Sequence, residues 1–533
     1  MSTKFIFVAG GVISSVGKGV TAASIGKMLI DRGYQMMVLK IDPYLNLDAG
    51  TMSPFQHGEV FVTADGAETD LDLGHYERMI PGLVLTKESN FTSGSVFSAV
   101  FTKERKGEYL GQTVQLVPHV VNEIKARIYN LAEVNGAQIL ITEIGGTIGD
   151  FEMPPFIEAI KQIGMEVGRD NVLYVYVSQT IKGPNNETKT KPTQHSVRSL
   201  LGLGIFPDVL VCRTSKPLDA ETRKKLAIHC GVYEDALIEG IDVEFIEEVP
   251  ANFEKQGLGE LILQKLNLDS RPVANSDWEK MIAKLKNLQE EIVIGFVGKY
   301  NKGGDSYISI VEALKHAGIA NDLRVNLRWI SSEDLLQKNT DLNLVFKDAK
   351  GILVPGGFGY RGIEGKLLAV QYARERKIPF LGLCLGMQCM VIEFARNVCG
   401  LDKANSSEFD PDTPHPVIDL LPEQKAIQNV GGTMRLGSYP CVLQKGTKAF
   451  SAYKQEKIFE RHRHRYEVDA DYFEKLTKAG LIFSGVSPNG ELVEITEVQD
   501  HPWMLGTQFH PEFQSRPLKP HPLFVNFILA CKS

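Results

Sequence analysis

Short apolar runs alternate with longer stretches of helical periodicity along most of the chain. The strand-like runs are residues 4–9, 36–40, 138–143 and 172–177 in the first half, and 292–297, 351–354 and 380–383 in the second. This alternation predicts an α/β protein with two doubly wound domains, each a largely parallel sheet covered by helices.

A polar stretch with a proline, residues 267–275, separates the two halves of this pattern. Ser276 and Glu279 then match a capping box, which predicts a helix that runs to about Leu288. The next apolar strand begins at Ile292. We therefore predict one domain over residues 1–266, a linker and helix over 267–291, and a second domain over 292–533.

Composition excludes several classes of protein. A length of 533 residues exceeds one ordinary core, and 43% hydrophobic with 23% charged residues is typical of globular protein. A net charge of −7 argues against nucleic acid as a partner. Seven sparse cysteines without metal-type spacing favour a reducing cytoplasm. The apolar start of the chain is short for a signal peptide, and no apolar run has membrane-spanning length.

One cysteine lies in a turn flanked by glycines. Cys384 sits in Gly-Leu-Cys-Leu-Gly, between a predicted strand that ends at Leu383 and a predicted helix over 387–395. Strand, tight turn and helix form the nucleophile elbow of many acyl-transfer enzymes. His510 and Glu512, far downstream, supply a base for the thiol and a carboxylate to orient it. Without those partners, a buried core cysteine is the simpler interpretation.

A glycine-rich segment, Pro-Gly-Gly-Phe-Gly at 355–359, follows the strand 351–354. Its backbone N–H groups could stabilise an oxyanion, although a plain turn at the strand end explains it equally well. Together with Cys384, His510 and Glu512, the segment resembles the class I glutamine amidotransferase domain. That resemblance implies that Cys384 attacks the side-chain amide of glutamine and releases ammonia.

The N-terminal half contains a glycine-rich turn, residues 10–19, between a strand and a helix predicted over 21–31. Such a turn presents N–H groups and a helix N-terminus to phosphates, and Lys18 would reach the outer phosphates. The match to a P-loop is imperfect because Gly19 stands where the motif has Ser or Thr. Mg²⁺ therefore needs other oxygen ligands.

Two acids could supply these oxygens. Glu143 ends a predicted strand, and Asp72 lies in a loop-like stretch where Asp70 is a close rival. A further cluster with two lysines, residues 186–195, would suit a second anionic ligand such as a triphosphate, or else forms an exposed polar loop. The sequence thus predicts a nucleotide site with one or two metal-binding carboxylates.

Several longer strings resemble the CTP synthase family over essentially the full length. They include the turn at 10–19, Asp-Pro-Tyr-Leu-Asn at 42–46, the strings at 54–60 and 143–152, Lys-Thr-Lys-Pro-Thr-Gln at 189–194, and the cysteine, histidine and glutamate set. The resemblance implies a P-loop domain related to dethiobiotin synthetase, fused to a class I glutamine amidotransferase domain. It implies ATP, UTP and glutamine as substrates, Mg²⁺, CTP as inhibitor, GTP as activator, and a homotetramer.

The resemblance also assigns residues. ATP would contact Ser15, Val16, Gly17, Lys18, Gly19, Val20, Asp72 and Val243, and the metal would bind Asp72 and Glu143. UTP or CTP would contact Ser14, Asp150, Phe151, Glu152, Lys189, Thr190, Lys191, Pro192, Thr193, Gln194 and Lys225, the last with Lys224 as a rival. Glutamine would contact Gly357, Leu385, Gly386, Met387, Gln388, Glu408 and Arg465.

Arg465 belongs to the run Arg-His-Arg-His-Arg at 461–465, which on charge alone predicts a solvated face. Arg435, in a glycine-containing loop at 431–437, would respond to GTP, although a hairpin turn explains the glycines as well. The implied reaction phosphorylates O4 of UTP with ATP, and ammonia then displaces the phosphate at C4.

Other activities fit parts of the pattern. A cobyrinate amidating synthetase has the same domain order, and a P-loop ATPase of the partitioning type would explain the N-terminal half alone. A catalytically silent filament subunit is a third possibility. The ATPase alternative leaves Cys384, His510 and Glu512 without a purpose, and the completeness of both sets of site residues argues against a silent subunit.

Overall fold

The protein was examined as a computed structural model, which describes residues 3–185, 187–299, 304–338, 340–420 and 434–532. These residues form two compact units. The first comprises Met1–Thr51 and Asp72–Ser276, and the second comprises Met52–Leu71 and Asp277–Ser533. The second unit thus includes a segment from the N-terminal half of the chain, which the apolar pattern gave no reason to expect.

A seven-stranded sheet forms the centre of the first unit, and all its neighbouring strands are parallel. Across the sheet the strands are Leu237–Ile241, Val209–Thr214, Val172–Gln179, Lys4–Gly10, Ile139–Ile144, Met36–Asp42 and Asn90–Thr92. The central strands are almost wholly buried, as expected when helices cover both faces of a parallel sheet.

The α-helices of the first unit are Lys18–Ile30, Asp72–Met79, Ser93–Arg105, Val121–Val134, Pro154–Val167, Lys191–Gly202, Ala220–Cys230, Val249–Lys255 and Leu258–Lys265. The first begins at Lys18, three residues before the predicted start, so the lysine lies in its first turn. The prediction of a loop at Asp72 is wrong, because Asp72 begins a helix. Leu73, Tyr76 and Met79 bury one face of that helix, and an acidic first residue favours its N-terminus.

A nine-stranded mixed sheet forms the centre of the second unit. Across the sheet the strands are Leu323–Ser331, Glu290–Gly298, Ala349–Val354, Phe380–Leu383, Met504–Thr507, Val493–Val498, Leu481–Val486, Arg435–Leu443 and Lys457–His464. The first five strands pair in parallel and the rest are antiparallel. Phe380 and Leu381 enter different apolar clusters, as alternation of side chains across a sheet requires.

Helices and two small sheets complete the second unit. The helices are Pro54–His57, Ser276–Lys286, Ile308–Ala320, Leu342–Val345, Ile363–Arg376, Leu385–Asn397, Lys448–Tyr453, Phe473–Lys478 and Pro522–Lys532. One small sheet pairs Phe61–Val62 with Glu68–Thr69, and the other joins Asn405–Ser406, Pro416–Leu420 and Tyr466–Val468. Among the helices that the structure describes, none is both long and apolar enough to cross a membrane.

Candidate functional site

Cys384 occupies a strained turn between the strand Phe380–Leu383 and the helix Leu385–Asn397. Its φ of 51° and ψ of −104° lie outside the regions that side-chain-bearing residues favour. The glycines on either side are required, because a Cβ on Gly382 would clash with the backbone of Gly386, and a Cβ on Gly386 would clash with the Val354 carbonyl. The turn therefore has the geometry of the predicted nucleophile elbow.

His510 and Glu512 lie beside this cysteine. His510 Nδ1 and Glu512 Oε1 are 2.7 Å apart, and both side chains are buried. Burial alone would favour the neutral imidazole, but the charges of Glu512 and Cys384, with a hydrogen bond to each, raise the pKa of His510 to about 10. An imidazolium beside a cysteine is the partner that a reactive thiolate needs.

The glycine-rich segment 355–359 packs directly against these residues. A Cβ on Gly356 would lie 2.9 Å from His510 Cε1, so only glycine fits there. Gly357 has a φ of 156°, near the limit of the left-handed region that favours glycine. The segment thus packs directly against His510 and Cys384.

Two lysines hold this segment, the half-buried Lys299 and the buried Lys366, and sequence reasoning missed both. Lys299 Nζ donates to the carbonyl oxygens of Phe358 at 2.6 Å and Gly359 at 2.7 Å. Lys366 Nζ donates to the Pro355 carbonyl at 3.4 Å, and burial lowers the pKa of Lys366 to about 8. Nothing in the sequence around either lysine indicated that it contacts the glycine-rich segment.

Two of the residues assigned to glutamine, Gln388 and Glu408, contact this site, together with Gln508, which was not predicted. Gln508 Nε2 lies 3.7 Å from Cys384 Sγ, and Gln388 Nε2 donates to Gln508 Oε1 at 3.2 Å. Glu408 accepts a hydrogen bond from Gly359 N at 2.7 Å. Burial raises the pKa of Glu408, although the nearby Arg465 charge opposes that shift. A carboxylate and a guanidinium therefore lie close to the glycine-rich segment.

The prediction of a solvated face at 461–465 is wrong. Arg461, His462 and His464 are buried in the strand Lys457–His464. Side chains alternate there between two sets of polar partners: Arg463 pairs with Glu68 at 2.8 Å, and His462 lies 3.6 Å from Glu494. A run of charged residues predicts an exposed surface when the residues that pair with it are distant in sequence and cannot be identified from it.

Arg435 begins a strand, and its side chain contacts two buried carboxylates. Its guanidinium lies 2.7 Å from Glu494 and 3.5 Å from Glu467. Gly431 and Gly432 of the predicted GTP-responsive loop lie outside the described residues. Arg435 therefore forms ion pairs with buried glutamates, which the sequence did not predict.

In the first unit, a cavity of about 370 Å³ opens beside the glycine-rich turn. Of the residues assigned to ATP, its lining includes Ser15, Val16, Gly17, Val20 and Val243. Arg213, which sequence reasoning missed, also lines the cavity and ties its two sides together. Its guanidinium donates to the Ser15 carbonyl at 3.1 Å and to Asp242 at 2.8 Å.

Lys18 and Gly19 begin the helix beside this cavity. Lys18 is buried, and its Nζ donates to the Gly146 carbonyl at 2.6 Å. Burial lowers the pKa of Lys18, while the nearby Glu143 and Asp72 charges act in the opposite direction. A Cβ on Gly19 would clash with the Asp72 carboxylate. The departure from the P-loop motif at Gly19 thus makes room for a carboxylate.

Asp72 and Glu143 meet on one ammonium group, that of Lys40. Lys40 Nζ contacts Asp72 Oδ2 and lies 3.0 Å from Glu143 Oε1. Burial raises the pKa of Glu143, aided by the Asp72 charge; in Asp72, the Lys40 and His75 charges outweigh burial and lower the pKa. Two carboxylates that converge on a cation fit the oxygen donors that Mg²⁺ prefers.

The residues assigned to the pyrimidine nucleotide are mostly at the surface. Phe151 is 99% exposed, and Ser14, Glu152, Lys224 and Lys225 are also exposed. Asp150 accepts hydrogen bonds from the backbone and hydroxyl of Thr147. The contacts do not separate Lys225 from Lys224.

The segment that contains Lys189 and Gln194 is more ordered than a polar loop. Lys189 pairs with Glu187 at 2.7 Å, while Thr190, Thr193 and Gln194 are buried at the start of the helix Lys191–Gly202. Gln194 Nε2 donates to Thr190 Oγ1 at 3.1 Å. The lysines with Pro192 thus stand at a helix N-terminus, where anions are favoured.

Comparisons with known proteins agree with both halves. A family model described as CTP synthase N-terminus matches residues 4–268, and one for class I glutamine amidotransferase matches 304–530. The CTP synthase of Caldanaerobacter subterraneus subsp. tengcongensis is 57% identical over 531 residues, covering 99% of this chain and 98% of that protein. That of Moorella thermoacetica is 55% identical over 534 residues, covering 100% and 99%.

Among solved structures, a Trypanosoma brucei CTPS glutaminase domain with bound acivicin is 40% identical, with a TM-score of 0.43. It covers 45% of this chain and 94% of that one. The full-length relatives decide against a corrinoid-amidating enzyme, a partitioning ATPase and a silent assembly subunit. The chain belongs to the CTP synthase family, with a synthetase half and a class I glutamine amidotransferase half.

Proposed function

We propose a division of the reaction between a glutaminase site in the second unit and a phosphoryl-transfer site in the first. The overall reaction of this CTP synthase is the glutamine-dependent amination of UTP to CTP. The proposal concerns which residues perform each step, and how substrates, metal and regulators use them.

In the glutaminase step, Cys384 attacks the side-chain amide carbon of glutamine. Backbone N–H groups of the 355–359 segment stabilise the oxyanion, and His510 gives its proton to the leaving ammonia. Water then cleaves the thioester and releases glutamate, with His510 as the base and Glu512 holding the imidazole. The close packing of Gly356 on His510 supports this assignment. Glu408 and Arg465 are suited to the charged α-amino and α-carboxyl groups of glutamine.

In the synthetase step, the γ-phosphoryl group of ATP is transferred to O4 of UTP. The turn at 15–20 holds the ATP phosphates, Lys18 neutralises the transferred charge, and Val243 contacts the adenine. Asp72 and Glu143 would hold Mg²⁺, which supplies further charge neutralisation when bound. Ammonia then attacks C4, and the bond to the phosphorylated oxygen breaks to release phosphate. The meeting of Asp72 and Glu143 on Lys40 supports the metal assignment.

The second nucleotide and the regulators are further parts of the proposal. UTP and the inhibitor CTP would share the triphosphate contacts of Lys189, Lys191 and Gln194, with Asp150, Phe151 and Glu152 near the base. GTP would activate glutamine hydrolysis through Arg435. A homotetramer in the cytoplasm is the expected form, and residues such as Phe151, exposed in one chain, would gain partners there.

One observation carries the proposal: a cysteine elbow with a paired His510 and Glu512 occurs in the same chain as a P-loop turn with converging carboxylates. The test is an assay of CTP formation by the purified protein from UTP, ATP and Mg²⁺, with glutamine or with ammonium. Each component is omitted in turn. CTP with either nitrogen source, and none without ATP, is the expected result; CTP formation without ATP contradicts the proposal.

A further inference from the structure

Residues 52–71, here called the arm, lie within the match to the N-terminal family model but pack in the second unit. Glu59 accepts a hydrogen bond from Ser309 N at 3.0 Å, at the start of a buried helix. Ser438 N donates to the Ala64 carbonyl at 2.8 Å. The arm is therefore anchored at several points on the glutaminase half.

The arm also contacts the strand Lys457–His464 through two arginine side chains. Arg461 donates to the Val62 carbonyl at 3.0 Å, and Arg463 pairs with Glu68 at 2.8 Å. The Arg463 and Glu68 side chains are only 14% and 10% exposed. A charge-assisted hydrogen bond so shielded from water is stronger than a surface ion pair.

The same two arginines contact the catalytic residues through their backbone carbonyls. His510 N donates to the Arg461 carbonyl at 2.8 Å, and the Cys384 thiol lies 3.8 Å from the Arg463 carbonyl. A single strand thus holds the arm with its side chains and the catalytic pair with its backbone. Displacing either arginine would move the atoms that position the thiol and the imidazole.

Three aromatic contacts extend this connection. The Arg463 guanidinium lies 4.9 Å from the centre of the ring of Phe358, which belongs to the glycine-rich segment 355–359. The buried Phe61 of the arm packs edge-on against Phe513 at 5.1 Å, and Phe513 stacks on His510 at 5.2 Å. The arm is therefore connected to Cys384, to His510 and to the glycine-rich segment 355–359 by separate chains of contacts.

We propose that Glu68 is a positioning residue for glutamine hydrolysis, acting through Arg463 on Cys384 and on the 355–359 segment. The proposal rests on the proposed role of Cys384 in the glutaminase step. Glu68 precedes Asp72 of the synthetase half by four residues in the chain. A displacement of Glu68 would shift Arg463, and with it Cys384 and the 355–359 segment. The rate of glutamine hydrolysis should then fall, because a misplacement of catalytic groups by about 1 Å can lower a rate about 100-fold.

The test compares Glu68→Gln with the wild-type full-length protein. Glu68→Gln keeps the shape of the side chain and removes the charge that holds Arg463. We expect kcat for glutamine hydrolysis to fall about 10- to 100-fold, with KM for glutamine within about twofold. Ammonia-dependent CTP formation should be unchanged. Asp65→Asn removes the same charge from an exposed position of the arm and should leave both reactions unchanged.

A second readout separates positioning from general loss of structure. The rate at which iodoacetamide alkylates Cys384 should fall in Glu68→Gln, and Glu68→Asp should recover part of the wild-type rate. In a double-mutant cycle with Arg463→Gln, the two losses should not add, because both variants break one contact.

An unchanged kcat for glutamine hydrolysis in Glu68→Gln would overturn the proposal. So would an equal loss of the ammonia reaction, or an equal loss in Asp65→Asn. Glutamine hydrolysis by the wild type and by Cys384→Ala is measured in the same series, so a failure of the proposed role of Cys384 is seen there and not in the Glu68 variants. If Glu68→Gln is insoluble, Glu68→Asp is measured instead. A loss of glutamine hydrolysis that exceeds any loss of ammonia-dependent CTP formation supports the proposal, and equal losses or no loss overturn it.

Discussion

The two sites differ in how complete they are before any ligand binds. In the proposed glutaminase site, Cys384, His510 and Glu512 already touch, and the glycines around them pack too closely to carry a side chain. In the nucleotide site, Lys40 contacts Asp72 and Glu143, while residues such as Phe151 are open to solvent. A covalent mechanism requires atoms preset to within a fraction of an ångström, whereas phosphoryl transfer assembles around the charges of its substrates. The difference predicts that variants in the two regions fail in different ways.

Apart from loss of Cys384 itself, the largest effects are expected in the nucleotide site. Lys18→Ala and Glu143→Ala should each reduce CTP formation by about 100-fold or more, with glutamine and with ammonium alike. Both residues act on the phosphorylation that either nitrogen source requires. Asp72→Ala should do the same, and its neighbour Asp70→Ala serves as the control. Normal ammonia-dependent turnover in Glu143→Ala at ordinary Mg²⁺ would contradict the metal assignment.

A smaller effect concerns the feedback inhibitor. Lys189→Ala should weaken both UTP and CTP, since each loses a charge-assisted phosphate contact. Glu152→Lys should raise the CTP inhibition constant about 10-fold and leave KM for UTP nearly unchanged, if CTP places its base in a separate pocket. Measuring both constants in both variants tests this, and equal shifts in Glu152→Lys would mean one fully shared site.

The protonation of His510 tests how the glutaminase site is preset. Because the Glu512 and Cys384 charges raise the pKa of His510 to about 10, its imidazole should stay protonated at pH 8 and lose the proton only near pH 10. Glu512→Gln removes one of these charges, so the pKa should fall. The ¹⁵N shifts of labelled histidine, assigned with His510→Gln, report both values. A resonance that titrates near the ordinary value of about 6.5 in the wild type would refute the ion pair.

The smallest effect is expected at Arg435. Arg435→Ala should reduce the stimulation of the glutamine reaction by GTP about two- to fivefold and spare the ammonia reaction. Since Arg435 also balances Glu494 and Glu467, Arg435→Lys is the control that keeps a cation there. Unchanged GTP stimulation in Arg435→Ala would remove this residue from the regulation.

Much of the fold could be predicted, because buried parallel strands leave continuous apolar runs that a sequence displays directly. The cysteine elbow was also predictable, because the glycines that it requires lie only two residues before and after Cys384. Lys299 and Lys40 were not, because each contacts residues remote in sequence, and Lys366 was not, because a lysine within a helix gives no sign that it is buried. The buried run at 461–465 was mistaken for a surface because Glu68 and Glu494 are also distant in sequence. The same distance hid the placement of the arm.

The most direct test of the account is Cys384→Ala assayed with both nitrogen sources. Loss of the nucleophile should abolish glutamine-dependent CTP formation, by about 1,000-fold or more, and leave ammonia-dependent formation within about twofold of the wild type. His510→Ala should behave in the same way, because it activates the same thiol. Equal losses with glutamine and ammonium in Cys384→Ala would contradict the division of chemistry between two sites.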